Sequence, residues 1–171
     1  IDVEMYGTLV RGGLKRLSER TGLDITVAAH PKAQVGQLSR IYGEMNISHG
    51  NTCELVARSK VVACADGSTS IGFAVALAKP LVLLVSERFQ YIVRTHNHAY
   101  ETMLRPTIVD LDNSASLRGE IQIDEEAYAS FMEQFVKKSG SPNMLFWVFV
   151  GQNILARLAK RPPHTSATLH H

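Results

Sequence analysis

A doubly wound α/β fold with a parallel sheet is what this sequence predicts, and three features predict it. Short runs that are apolar on both faces recur at 61–65 and 81–85, as strands buried between two helical layers require. Between them, Asp66-Gly67-Ser68-Thr69-Ser70 reads as a turn and a helix start, 71–78 as an apolar helix, and Lys79-Pro80 as its stop. Helix and strand patterns alternate along the rest of the chain, as parallel crossovers demand.

Taken in order, residues 3–20 carry Met5, Leu9, Val10, Leu14 and Leu17 at helical spacing, with Arg11, Lys15, Arg16, Glu19 and Arg20 on the wet face. Gly12-Gly13 weakens the middle of that helix and Gly22 ends it. Residues 23–29 read as a strand that stops at His30-Pro31. Pro31 cannot extend a ladder, so His30 stands at the strand's carboxyl end, on the same edge as the serine turn. Residues 32–44 read as a polar connection, followed by a short strand near 45–48. Asn51-Thr52 is expected to cap a helix bearing Glu54, Leu55, Val56 and Arg58.

Beyond Val85, Ser86 and Glu87 open a long helix to about Met103, and Arg105-Pro106 leads to a strand over 107–111. Residues 112–122 read as a loop. Asp124-Glu125-Glu126 begins a helix to about Lys138, acidic first and basic last as the helix dipole favours. Ser139-Gly140-Ser141-Pro142 breaks it. A closing helix over 144–160 is apolar at its start and basic at its end, which suits packing on the core or on another domain, or else a membrane surface carrying a lipid-linked acceptor.

Composition bounds the partners. With 171 residues, 45% of them hydrophobic and 20% charged, the chain can bury a full core, read as one domain over 1–160 with a flexible or tag-like tail over 161–171. A net charge of +2 is no polyanion-binding signature, so nucleic acid is not an expected partner. Cys53 and Cys64 lack metal-site spacing and read as buried small residues in a reducing compartment. Without a secretory or membrane-spanning pattern, the expected location is cytoplasmic. The abrupt start at Ile1 reads as a piece of a longer protein.

The serine turn carries the chemistry. A helix that opens after Gly67-Ser68-Thr69-Ser70 presents unpaired N–H groups, the positive end of its dipole and several hydroxyls, which together favour an anion such as a phosphate. It also lies at the carboxyl end of a strand, where open α/β sheets place their ligands. The bland counterpart is an ordinary serine cap, and for His30 a satisfied structural histidine. His96 and His98, two apart on a helix, face different ways and make a poor metal pair. Lys32 and Arg40 flank the same edge, as His49 does a helix cap.

The set 27–32 (VAAHPK), 50–56 (GNTCELV), 68–75 (STSIGFAV) and Lys79-Pro80 resembles the C-terminal, nucleotide-binding half of GT-B glycosyltransferases of bacterial surface-polysaccharide synthesis. Bacterial sialyl- and Kdo-transferases, with their HP and Ser/Thr motifs, are the most similar in layout. The resemblance implies a Rossmann-like domain holding a CMP- or UDP-linked sugar and no metal or other cofactor. It places His30, Pro31 and Lys32 at the nucleotide pocket, Ser68, Thr69 and Ser70 on phosphate, Thr52 at a neighbouring helix start and Glu54 on ribose hydroxyls. Asp66, beside a bound phosphate, would repel it and so is expected to turn away or to meet sugar or base. The catalytic base is expected in an N-terminal, acceptor-binding half, leaving this piece inactive alone. Two other classes fit less well: a non-hydrolysing sugar-nucleotide 2-epimerase, for which Glu54 and Asp66 are thin acid pairing, and a non-catalytic domain binding an anion or, through 146–150, a partner protein.

Overall fold

The computed structural model describes residues 2–30, 32–113 and 117–141. The chain divides into two compact units, Ile1–Lys138 and Ser139–His171, and every element below belongs to the first. The expected closing helix over 144–160, the 146–150 surface and Pro31 lie outside the described residues.

Helix α1 (Val3–Thr21) starts where the Asp2 carboxylate accepts the Met5 N–H at 2.8 Å, and ends at Gly22, whose φ of 67° only glycine adopts freely. Val10, Leu14 and Leu17 are buried as their spacing requires, whereas Met5 is 43% exposed. Gly13 and Gly7 have a role other than helix weakening. A Cβ at Gly13 would strike the Leu111 side chain, and one at Gly7 would lie 2.9 Å from the Ile41 Cα, so each lets α1 approach a neighbour closely.

Strand β1 (Thr26–Ala29) is followed by α2 (Val35–Tyr42), so most of the polar connection expected over 32–44 is helical. Arg11 ties α2 to α1 by donating to the carbonyls of Arg40 and Ile41, both at 2.7 Å. Next come β2 (Asn46–His49), α3 (Thr52–Arg58), β3 (Val62–Cys64), α4 (Thr69–Ala76) and β4 (Leu81–Val85). Helix α5 (Tyr91–Leu104) begins later than Ser86, because residues 86–90 form a turn clamped by Asp112. That carboxylate accepts the Ser86 hydroxyl at 3.0 Å and the Glu87 N–H at 2.7 Å, and pairs with Arg88 at 3.2 Å. Strand β5 (Thr107–Asp110) leads into β6 (Leu117–Arg118), inside what reads as loop. The fold then runs through α6 (Glu125–Phe131) into a π-helical turn over Met132–Val136 that ends before Lys138.

The strands form two sheets. β1 pairs in parallel with β2; β3, β4 and β5 are mutually parallel, and β6 lies antiparallel on β5. The expectation of one continuous parallel sheet is thus corrected: the molecule is α/β with mostly parallel pairing, but the ladder is interrupted between β1 and β3. Strand β4 shows why the larger sheet is doubly covered. Leu81 and Leu83 pack with Ile71, Ala74, Val75 and Phe131 on one face, while Val82 and Leu84 pack with Val10, Leu14, Leu17 and Val109 on the other. Among the described residues no helix is long and apolar enough to cross a membrane.

Candidate functional site

A cavity of about 1310 Å³ lies where the ladder is interrupted, lined by residues 25–28 of β1 and its lead-in and by Val61, Val62, Ala63 and Ala65 of and around β3. Its inner wall is apolar, with Val10, Leu14 and Leu17 from α1. Its rim at the carboxyl ends of β1 and β3 is polar, and there His30, Thr52, Glu54, Ser68, Thr69 and Ser70 all line it. Lys32 is not among the lining residues; it is exposed just past the turn. Two distant segments of the chain therefore line one cavity.

His30 arrives there on a tight turn in which its carbonyl accepts the Ala33 N–H at 2.8 Å. Its ring is oriented by the chain itself: Nδ1 accepts the Lys32 N–H at 3.1 Å, so the neutral imidazole carries its proton on Nε2. That leaves Nε2–H as the donor available to a ligand.

The serine turn is more internally engaged than its composition implies. Ser68 is the N-cap of α4, and its Oγ accepts both the Ser70 N–H at 3.2 Å and the Ser70 hydroxyl at 2.9 Å. Ser70 Oγ also lies 3.2 Å from the Cys64 sulfur. Ser68 accepts twice and keeps its own O–H to donate, and the hydroxyl of Thr69 is exposed and without a partner among the described residues. Burial pushes the Cys64 thiol up, the Ser70 contact opposing it, so this sulfur stays protonated.

Asp66 points elsewhere. Its carboxylate accepts the Gly67 N–H and meets His96 Nδ1 at 3.3 Å, and it is absent from the cavity wall. His96 is consequently partnered on α5, and a Cβ at Gly67 would lie 3.2 Å from its ring. Glu54, assigned by resemblance to ribose, is exposed and pairs with Arg58 at 3.6 Å one turn on. Asn51 precedes α3 without capping it through its side chain; its Oδ1 instead accepts the Ser48 hydroxyl at 3.0 Å. Cys53 is exposed and lines the cavity, correcting its expected burial, whereas Cys64 is buried.

Sequence reasoning missed Arg58, Lys60, Asp24 and Tyr42, which also line the cavity. Tyr42 is kept as a neutral phenol, its pKa raised by burial and then by Cys64. No signal in the sequence marks these four, because only the tertiary fold brings them to one cavity. Chemically the rim offers an imidazole N–H, a free hydroxyl and a helix start, a set suited to holding an anion. Among the described residues no three His, Cys, Asp or Glu side chains form a metal-holding group.

No protein-family model, curated protein or solved structure matches the chain.

Proposed function

We propose that this chain is the donor-binding, Rossmann-like part of a GT-B glycosyltransferase that builds a bacterial surface polysaccharide, with a CMP- or UDP-linked sugar as donor. One observation carries the reading: His30 and Ser68, Thr69 and Ser70, which are far apart in sequence, line one cavity at the carboxyl ends of β1 and β3. Open α/β sheets bind nucleotides at such strand ends, and a helix start there favours the phosphate.

In this reading the donor phosphate meets His30 Nε2–H, the Thr69 hydroxyl and the α4 N-terminus. These groups stabilise negative charge as the sugar–phosphate bond breaks, with no metal needed. The nucleoside lies along the apolar wall of the cavity. A saccharide or lipid-linked acceptor and the base that deprotonates it belong to a further domain in this reading, which also sets the reaction in the cytoplasm, at the inner face of the plasma membrane if the acceptor is lipid-linked.

The test is a melting screen of the purified chain against CMP, CDP, UDP and GDP. A nucleotide supplied at about 100 times its dissociation constant adds about 2.7 kcal/mol to folding, a readily measured rise in Tm. A rise with CMP or UDP supports the reading; no rise with any of the four removes it.

A further inference from the structure

The interruption between the two sheets leaves backbone groups that a sheet interior would pair. In β3, the Val62 N–H donates to the Pro80 carbonyl at 2.9 Å, on the β4 side. Successive residues of a strand turn to opposite edges, so the N–H and C=O of Ala63 face away from β4, toward the cavity. β1 likewise has β2 on one edge only, and its other edge borders the same cavity.

Three features set these free edges up as partners. First, the residues leading into both strands, Ile25 and Val61, line the cavity, and so do those that follow them, His30 and Ser68. Both strands thus border it along their length, and the helical crossover from β2 to β3 is the connection that parallel strands take. Second, α3, which links β2 to β3, touches β1 and packs against α4, so this connection already passes over β1. Third, the strand residues that line the cavity are apolar and slender: Val27 and Ala28 from β1, and Val61, Val62 and Ala63 at and in β3. Pairing the edges would satisfy their N–H and C=O groups and withdraw this surface from water.

We propose that β1 and β3 close into a parallel ladder, converting the two sheets into one of order β2-β1-β3-β4-β5-β6. Closure narrows the cavity to its polar rim and sets the His30 turn beside the Ser68–Ser70 turn. The cavity is then the open state of a two-state element. This inference does not depend on which ligand the rim holds.

Backbone amide exchange of the chain without any ligand tests it. Closure predicts that the Ala63 N–H and the β1 amides not bonded to β2 are protected together, on the order of 100-fold over unpaired amides. A second arm uses Ala63→Pro. Proline is tolerated on an edge strand whose N–H faces no partner, so it leaves β3–β4 pairing intact, but it removes the donor that closure uses. Closure predicts that this variant loses protection at the outer β1 amides while β4 and β5 keep theirs. Unprotected Ala63 and β1 outer amides in the natural chain would overturn the proposal. So would a proline variant whose β1 amides exchange as before. Should the proline variant not fold, the natural chain's exchange decides alone.

Discussion

Ser70 Oγ donates to Ser68 Oγ at 2.9 Å, so the Ser70 proton is spent inside the serine turn and Ser68 acts there as an acceptor. Ser68 is thereby a structural cap before it is a ligand group. Ser68→Ala is expected to cost about 1 kcal/mol through α4, seen as a lowered urea midpoint with no ligand present. An unchanged midpoint would mean the cap is not contributing. Thr69, whose hydroxyl has no partner among the described residues, is the substitution that separates binding from folding.

The two cysteines differ in accessibility. Cys53 is exposed at the cavity, while Cys64 is buried with its thiol pushed up. Since the thiolate is the reactive form, iodoacetamide should add once to the native chain, at Cys53, and twice only after denaturation. Peptide mass mapping reads this directly, and two adducts on the folded chain would contradict the packing around Ser70.

Alkali should unfold the protein through two tyrosines. Tyr6 is pushed up to about 12 by burial and then by Tyr42 and Asp66, and Tyr128 to about 12 by burial. The Tyr128 hydroxyl donates to the Lys79 carbonyl at 2.9 Å, a bond the phenolate cannot make. A folded pKa above the unfolded value of about 10 means this stabilisation is complete below that pH and is lost as pH climbs toward 12. The urea midpoint is therefore expected to fall between about pH 10 and about pH 12, and less steeply in Tyr128→Phe. A flat midpoint across that window would contradict it.

Gly7 and Gly12 make a matched pair on α1. Alanine in a helix is favoured over glycine by about 1 kcal/mol. At Gly12 the new Cβ meets only the flexible Arg16 guanidinium at 3.4 Å, so Gly12→Ala should raise Tm. At Gly7 it meets Ile41 backbone at 2.9 Å, and overpacking of about 1–3 kcal/mol should outweigh the gain and lower Tm. Two variants that shift Tm equally would deny the close α1–α2 contact.

What was legible in the sequence lies where local pattern and burial agree. The apolar run 81–85 became β4 with Leu81, Val82, Leu83 and Leu84 all buried, and Ser68 does cap α4. Helix α2 escaped notice because it is short and only Leu38 of its described side chains is buried, leaving Gln34, Gln37 and Arg40 to read as loop. Gly13 read as a helix weakener because its packing partner, Leu111, is almost a hundred residues away. The two-residue β6 is defined by its partner Ile108 and not by its own composition. Of the site, His30 and the serine turn were legible from strand and helix ends. Lys32 lies outside the cavity lining and Glu54 lines it beside Arg58, arrangements that spacing alone does not write. The gap between β1 and β3 is a matter of tertiary pairing, to which periodicity is blind.

In the proposed function His30 and the serine turn hold one phosphate. Calorimetric titration of CMP and of UDP into the natural chain, His30→Ala, Thr69→Val and the double variant tests it most directly. Hydrogen bonds to a charged group are worth about 1.5–3 kcal/mol, so each single variant should weaken binding about tenfold or more. The double variant should lose less than the sum of the two, because both side chains grip the same group. Binding by His30→Ala and Thr69→Val at the natural affinity would contradict the claim.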